Sequence, residues 1–211
     1  MDGAPFDGEV AVRVPHGALR LHVMGERGAR RGVATPHDID AMARLARGAI
    51  EAGALGFTTS RTLNHRTSKG EYTPTLTAEA DELMGIAQAI GRTGQGVLQV
   101  VSDFADLDAE FAIFRRMAET SGRPLSFSLV QVRGDGYRRQ LELLGVANAA
   151  GVAMTGQVAP RAVGLKLGLE CTLHPLLANP VYREVAALPL AERVAVMSDV
   201  QFKEKMLAAD A

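Results

Sequence analysis

The chain has 211 residues, 47% of them hydrophobic, with 23 Lys+Arg against 24 Asp+Glu, a net charge of −1, one cysteine and no tryptophan. A chain of this length can bury about 70% of the surface its unfolded form exposes, which argues against disorder and against any need for disulfide or metal staples. Near-zero net charge argues against a protein built to neutralise phosphates, so nucleic acid is not an expected partner. Cys171 has no second cysteine to pair with, which fits a reducing compartment and predicts a cytoplasmic location. Asp2, Asp7 and Glu9 precede any apolar run, and no stretch of about 18 apolar residues occurs, so neither a signal peptide nor a membrane span is expected.

In chain order, Val10, Val12 and Val14 alternate with Ala11 and Arg13 and predict a strand over 9–14, with 19–24 as a candidate partner strand. Thr35-Pro36-His37-Asp38 announces a helix: Thr35 suits the N-cap, Pro36 the first helical position, and Asp38 the positive end of the dipole. Ile39, Met42, Leu45, Ala46, Ala49 and Ile50 then recur at helical spacing up to Gly53. A second strand is predicted over 54–60, and after a long polar loop a helix from about 77 carries Leu83, Ile86, Ala87 and Ile90. Strands over 96–101, 124–130 and 152–158 alternate with helices carrying Phe111, Phe114 and Met117, then Tyr137, Leu141 and Leu144.

Strands alternating with helices indicate parallel βαβ units, because a parallel partner is reached only through a crossover. The fold class is α/β. Gln99, Ser126 and Ser128 interrupt apolar strands, and small polar groups facing a barrel interior account for them. After Val158 strand character ends, and a helical tail over 191–209 follows Pro189.

Active groups in α/β folds gather beyond the C-terminal ends of the strands. The connection 58–71 is long for this class and carries Arg61, His65 and Arg66 among hydroxyl residues. Either arginine can hold a carboxylate bidentately, and His65 can act as acid, base or metal ligand. A solvated polar loop is the competing reading. No GxGxxG follows any strand. His16, His22, His37 and His174 form no H-x-H or HExxH spacing and read as structural or surface residues, and Cys171, among leucines, reads as a small buried group.

The segment 42–61, with EAGALGFTTSRT over 51–62 as its most specific phrase, resembles the amidohydrolase superfamily, in particular its D-aminoacylase branch. HGALRLHVMGERGA (16–29), GVAMTGQVAPR (151–161) and the stretch 173–199 extend the resemblance over nearly the whole chain. The resemblance implies a metal-dependent hydrolase on a (β/α)8 barrel that cleaves the amide of N-acyl-D-amino acids. It implies that this chain holds about strands three to seven as one incomplete barrel domain over 1–211, with βα units over 9–170 and a helical excursion over 171–211. The family's H-x-H pair would lie upstream and its last aspartate downstream.

Zinc is expected in the complete enzyme. The strand ends where the resemblance expects metal-binding histidines read Leu98-Gln99-Val100-Val101-Ser102-Asp103 and Ser126-Phe127-Ser128-Leu129-Val130-Gln131, so no metal ligand is carried over. Asp103 is the one hard ligand candidate there, beside Gln99, Ser102 and Gln131. The expected partner is a small N-acyl amino acid-like substrate bound by Arg61, His65 and Arg66. The alternative is a non-catalytic scaffold that associates with itself or with the polypeptide completing the barrel.

Overall fold

A computed structural model describes residues 10–131, 134–162, 164 and 166–209. They divide into two units, one running to His65 and including Tyr72–Arg161, the other comprising Arg66–Glu71 and the residues from Ala162 onward.

In the first unit, strands β1 (Arg13–Pro15), β2 (Gly56–Arg61), β3 (Val97–Ser102), β4 (Leu125–Ser128) and β5 (Met154–Gln157) form one sheet in sequence order. Every neighbouring pair is parallel. The helices between them are α1 (His16–Met24) and α2 (Glu26–Ala29), then α3 (Pro36–Glu51), α4 (Ala80–Gly91), α5 (Leu107–Ser121) and α6 (Gly136–Ala149). The α/β reading and its five strands therefore hold, with bounds shifted by one to four residues.

The segment 19–24 is a correction: it lies inside α1 and is no strand. Its Leu19-Arg20-Leu21-His22-Val23 alternation imitates period two, but the chain buries His16, Leu19, Arg20 and Met24, a helical face. Arg20 is held there by Glu82 of α4 and the Gly32 carbonyl, partners the local sequence does not contain.

α3 begins as its sequence dictates. The Thr35 hydroxyl accepts from the Asp38 amide while the Asp38 carboxylate accepts from the Thr35 amide at 2.9 Å, a reciprocal capping box with Pro36 in the first turn. Arg27 adds two bonds to the same carboxylate, 2.9 and 2.8 Å, and chiefly for that reason Asp38 is lowered from 3.8 to about 2.

One face of the sheet carries Phe57, Leu98, Val100, Leu125, Phe127 and Met154 into the core beneath the helices. Fully burying each such side chain contributes on the order of 1.5–3 kcal/mol. Phe104 holds a left-handed φ of 50° and its ring makes edge contacts with Phe114 and Phe127 at 5.7 and 5.6 Å, so aromatic packing offsets the backbone strain. α4 closes on α5 at Gly91, where a Cβ would drive into the Ser121 carbonyl oxygen.

The alternate strand positions, among them Arg13, Thr58, Gln99, Ser126 and Thr155, form the opposite face and are polar and less buried. Across it Arg13 donates to Gln99, whose amide nitrogen donates to Gln157 at 3.2 Å, linking β1, β3 and β5. The polar interruptions of the strands are thus the residues of this second face.

The second unit contains a 3-10 turn (Pro175–Ala178) and helices α7 (Pro180–Arg183), α8 (Leu190–Ser198) and α9 (Val200–Ala209), the helical tail the sequence predicts. Asn179 caps α7 through the amides of Val181 and Tyr182 at 2.9 and 3.0 Å and also donates to the Met206 carbonyl. His174 lies edge-on to Tyr182 at 4.9 Å and is buried, a structural role as expected. Cys171 is exposed rather than buried, because the turn after Gly168 presents it outward.

Candidate functional site

β2 ends on Arg61 and β3 on Ser102, paired in register, so the two strand ends lie together at the C-terminal edge of the sheet. Asp106 caps α5 by accepting from the Ala109 amide, and the first turn that follows presents Glu110. Arg61 donates to Glu110 from Nε at 2.9 Å and from Nη2 at 2.6 Å, and donates to the Ala78 carbonyl from Nη1. Ser102 donates to the same carboxylate at 2.9 Å. Both Arg61 and Glu110 side chains are only 15% exposed. Of the five guanidinium hydrogens, two remain for another acceptor.

A cavity of about 400 Å3 opens beside this pair, lined by Arg61, Leu63, Leu76, Asp103, Asp106 and Glu110 among others. Three carboxylates surround one arginine there. A second cavity, of about 180 Å3, lies over the ends of β3 and β4, between Asp103, Ser128 and Gln140. Asp103 is fixed by the Thr62 hydroxyl and, at 2.7 Å, by the Leu63 amide.

His65 is exposed, and its Nδ1 lies 2.7 Å from the Ser60 hydroxyl on β2, a hydrogen-bonded serine–histidine pair. Arg66 falls in the second unit, where its Nη1 donates to the Gly70 carbonyl at 3.3 Å, closing a turn in which Thr67 and Glu71 also bond. The structure thus puts Arg61 and His65 after the same strand, while Arg66 belongs to the other unit.

His16, the residue after β1, is buried with Nε2 2.7 Å from Glu82 and Nδ1 2.9 Å from the Thr59 hydroxyl. A carboxylate only accepts, so the ring proton is on Nε2 and Thr59 donates to Nδ1. Burial drives His16 below its usual 6.5, against the opposing pull of Glu82. The expectation of a structural role for His16 fits this setting.

Glu110 and Gln140 are site residues that the sequence reading missed. The signal for Glu110 was its place one turn into a helix after an Asp N-cap; Gln140 gave none. Among the described residues no group of three His, Cys, Asp or Glu is arranged to hold a metal ion.

Five parallel strands in sequence order, with helices on one face and polar strand ends on the other side, define a portion of a (β/α)8-type barrel. The sequence matches the Amidohydrolase family over residues 2–211, and the chain belongs to that family. Three solved D-aminoacylase structures have this fold, with TM-scores of 0.60, 0.59 and 0.58 at 23% identity. One concerns the binuclear metal centre of D-aminoacylase, one a mutant in complex with CuCl2, and one defines that enzyme as a subset of the amidohydrolases. Each alignment covers 75% of this chain and 32% of the neighbour, so the chain spans about a third of their length. Comparison with curated proteins gives no match. No helix among the described residues is long and apolar enough to cross a membrane.

Proposed function

We propose that this chain forms part of a hydrolase of carbon–nitrogen bonds in linear amides, with an N-acyl-D-amino acid as substrate class, working in the cytoplasm on small molecules. The supporting observation is the family match over residues 2–211, together with Arg61 and His65 at the end of one strand. In this reading 1–211 is one incomplete barrel domain, with its βα units over 9–170 and a helical excursion over 171–211. Arg61 or Arg66 binds the substrate carboxylate, and His65 orients or protonates. Glu110 fixes the plane of the Arg61 guanidinium and leaves two N–H groups for the substrate.

The metal centre of the neighbours does not fit the residues described here. Ser102, Asp103, Ser128 and Leu129 stand at the ends of β3 and β4, and a catalytic zinc needs about three protein ligands. No step is therefore assigned through a metal on this chain, and zinc, where the complete enzyme uses it, is held by groups outside these residues.

The test is kinetic. In a full-length relative carrying the same loop, Arg61→Ala and Arg66→Ala should raise KM about tenfold or more with little change in kcat, as loss of uniform binding demands. Unchanged KM in both variants rejects the carboxylate assignment.

A second reading is a non-catalytic scaffold bound to the polypeptide that completes the barrel. What favours it is that β1 and β5 each pair on one side among the described residues, leaving backbone groups to be covered. Sedimentation of the isolated chain as a monomer, with no exposed apolar surface, counts against it.

A further inference from the structure

The small cavity over the ends of β3 and β4 has a composition that the amide-hydrolase reading does not use. Its lining holds one carboxylate, Asp103, the hydroxyls of Thr62, Ser102 and Ser128, the carboxamides of Asn64 and Gln140, and, among the described residues, no Lys, Arg or His. Asp103 has no cationic partner among the described residues, although its two oxygens are held in place by Thr62 and Leu63. Each of those oxygens keeps a lone pair. Gln140 is only 7% exposed, and its Oε1 has no hydrogen-bond partner. The Ser128 hydroxyl, on the polar face of β4, bonds no described residue.

An unsatisfied buried amide oxygen costs about 1–3 kcal/mol unless a ligand supplies the missing donor, and the exposed Asp103 beside it leaves its charge open to an incoming cation. A charged acceptor beside two neutral ones calls for a cation that carries several N–H donors. At about 180 Å3 the cavity is smaller than a whole-substrate site, which typically exceeds about 300 Å3, and suits a head group with a short carbon arm. The neighbouring 400 Å3 cavity, with Asp106 and Glu110 outnumbering Arg61, extends the negative field around it.

We propose that Asp103, Ser128 and Gln140 form a binding site for a primary ammonium group. The three N–H bonds of an alkylammonium match the three acceptors, and the charge compensates Asp103. The amide-hydrolase reading enters only in naming the bearer of the group: within it, the ammonium belongs to the free amino acid released on hydrolysis or to a basic side chain of the substrate, because the α-nitrogen of an N-acyl amino acid is an uncharged amide.

The experiment titrates n-butylammonium chloride into the ¹⁵N-labelled 211-residue chain and follows the Gln140 side-chain signal and the Asp103 and Ser128 amides by NMR. A saturable, millimolar shift of these signals is expected, weakened about tenfold by Asp103→Asn and several-fold by Ser128→Ala. Tetramethylammonium, with the same charge and no N–H, and n-butanol should give no saturable shift. Absence of saturation overturns the proposal, as does equal binding of tetramethylammonium or an identical response to potassium chloride. Should Asp103→Asn disturb the fold, Ser128→Ala and the tetramethylammonium comparison on the unmodified chain decide the matter. Because turnover is not measured, failure here leaves the hydrolase reading standing, and loss of that reading leaves the ammonium site standing.

Discussion

Arg61 and Glu110, 49 residues apart, meet through two guanidinium nitrogens and both carboxylate oxygens at 2.6 to 3.2 Å. The pair joins the end of β2 to the first turn of α5. With both side chains largely withdrawn from water, removing Arg61 strands a carboxylate whose remaining side-chain donor among the described residues is Ser102. Arg61→Ala should therefore destabilise the chain by about 1–3 kcal/mol, and Arg61→Lys should recover little, since an ammonium lacks the fork. A urea-denaturation cycle with Glu110→Gln checks this. A coupling energy near zero, or full recovery by lysine, contradicts it.

Asp38 makes stability depend on acid. Its value is about 2 in the fold against 3.8 ordinarily, so the unfolded chain binds the proton more readily. Its contribution is complete above about pH 4 and is lost as pH falls towards 2, about 1 kcal/mol once exposure of Arg27 to solvent is discounted. Thermal unfolding of Asp38→Asn against the parent between pH 6 and 2 measures it. Parallel curves throughout that window would disprove the linkage.

The His16 network adds a second acid-sensitive leg. Burial lowers its value below 6.5, so between the folded and ordinary values the unfolded state holds more protons and stability drops as pH falls below about 6.5. His174, lowered by burial and by Arg193, contributes in the same direction. His16→Gln should flatten part of that slope, and His16→Ala should cost about 2–4 kcal/mol by leaving Glu82 and Thr59 short of a partner. A slope unchanged in both His16→Gln and the double variant with His174→Gln refutes the assignment.

Where local chemistry decides, the sequence is legible. Thr35, Pro36 and Asp38 announce α3, Gly122 ends α5 in the left-handed region at φ 61°, and each βα alternation reappears as a strand and a helix. Distant partners decide the remainder. Arg20 turns an alternating stretch into helix through Glu82, 62 residues on, and Glu110 takes up two N–H groups of the arginine that the loop alone leaves wholly free. Gln140 enters the strand-end cavity because α6 packs against α5 and β5, which no spacing in its own segment records.

Gly91 offers a packing test. A methyl group there meets the backbone of Ser121, which cannot yield as a side-chain tip would. Gly91→Ala should thus destabilise by about 1–3 kcal/mol even though alanine is the better helix former by about 1 kcal/mol. A gain in stability would show that α4 and α5 separate more easily than their contact implies.

After dialysis against buffer, the isolated chain should retain well under one zinc, copper or iron per molecule, because structural and catalytic zinc sites take about three or four protein ligands. One equivalent of tightly held metal would assign ligands to these residues after all.

The strand order has a bearing on how the molecule comes apart. Among the described residues each strand of the sheet pairs its backbone only with its neighbours in sequence, with the Gln99 side chain alone bridging across to Arg13 and Gln157, so cooperativity passes mainly along β1 to β5 link by link, as in a row of coupled repeats. β3, paired on both sides and roofed by fully buried Leu98 and Val100, is the stiff middle of that row, while three-residue β1 and four-residue β5 are its fraying ends. The strand ends of the candidate site are distributed along the same gradient, with Asp103 anchored at the rigid centre.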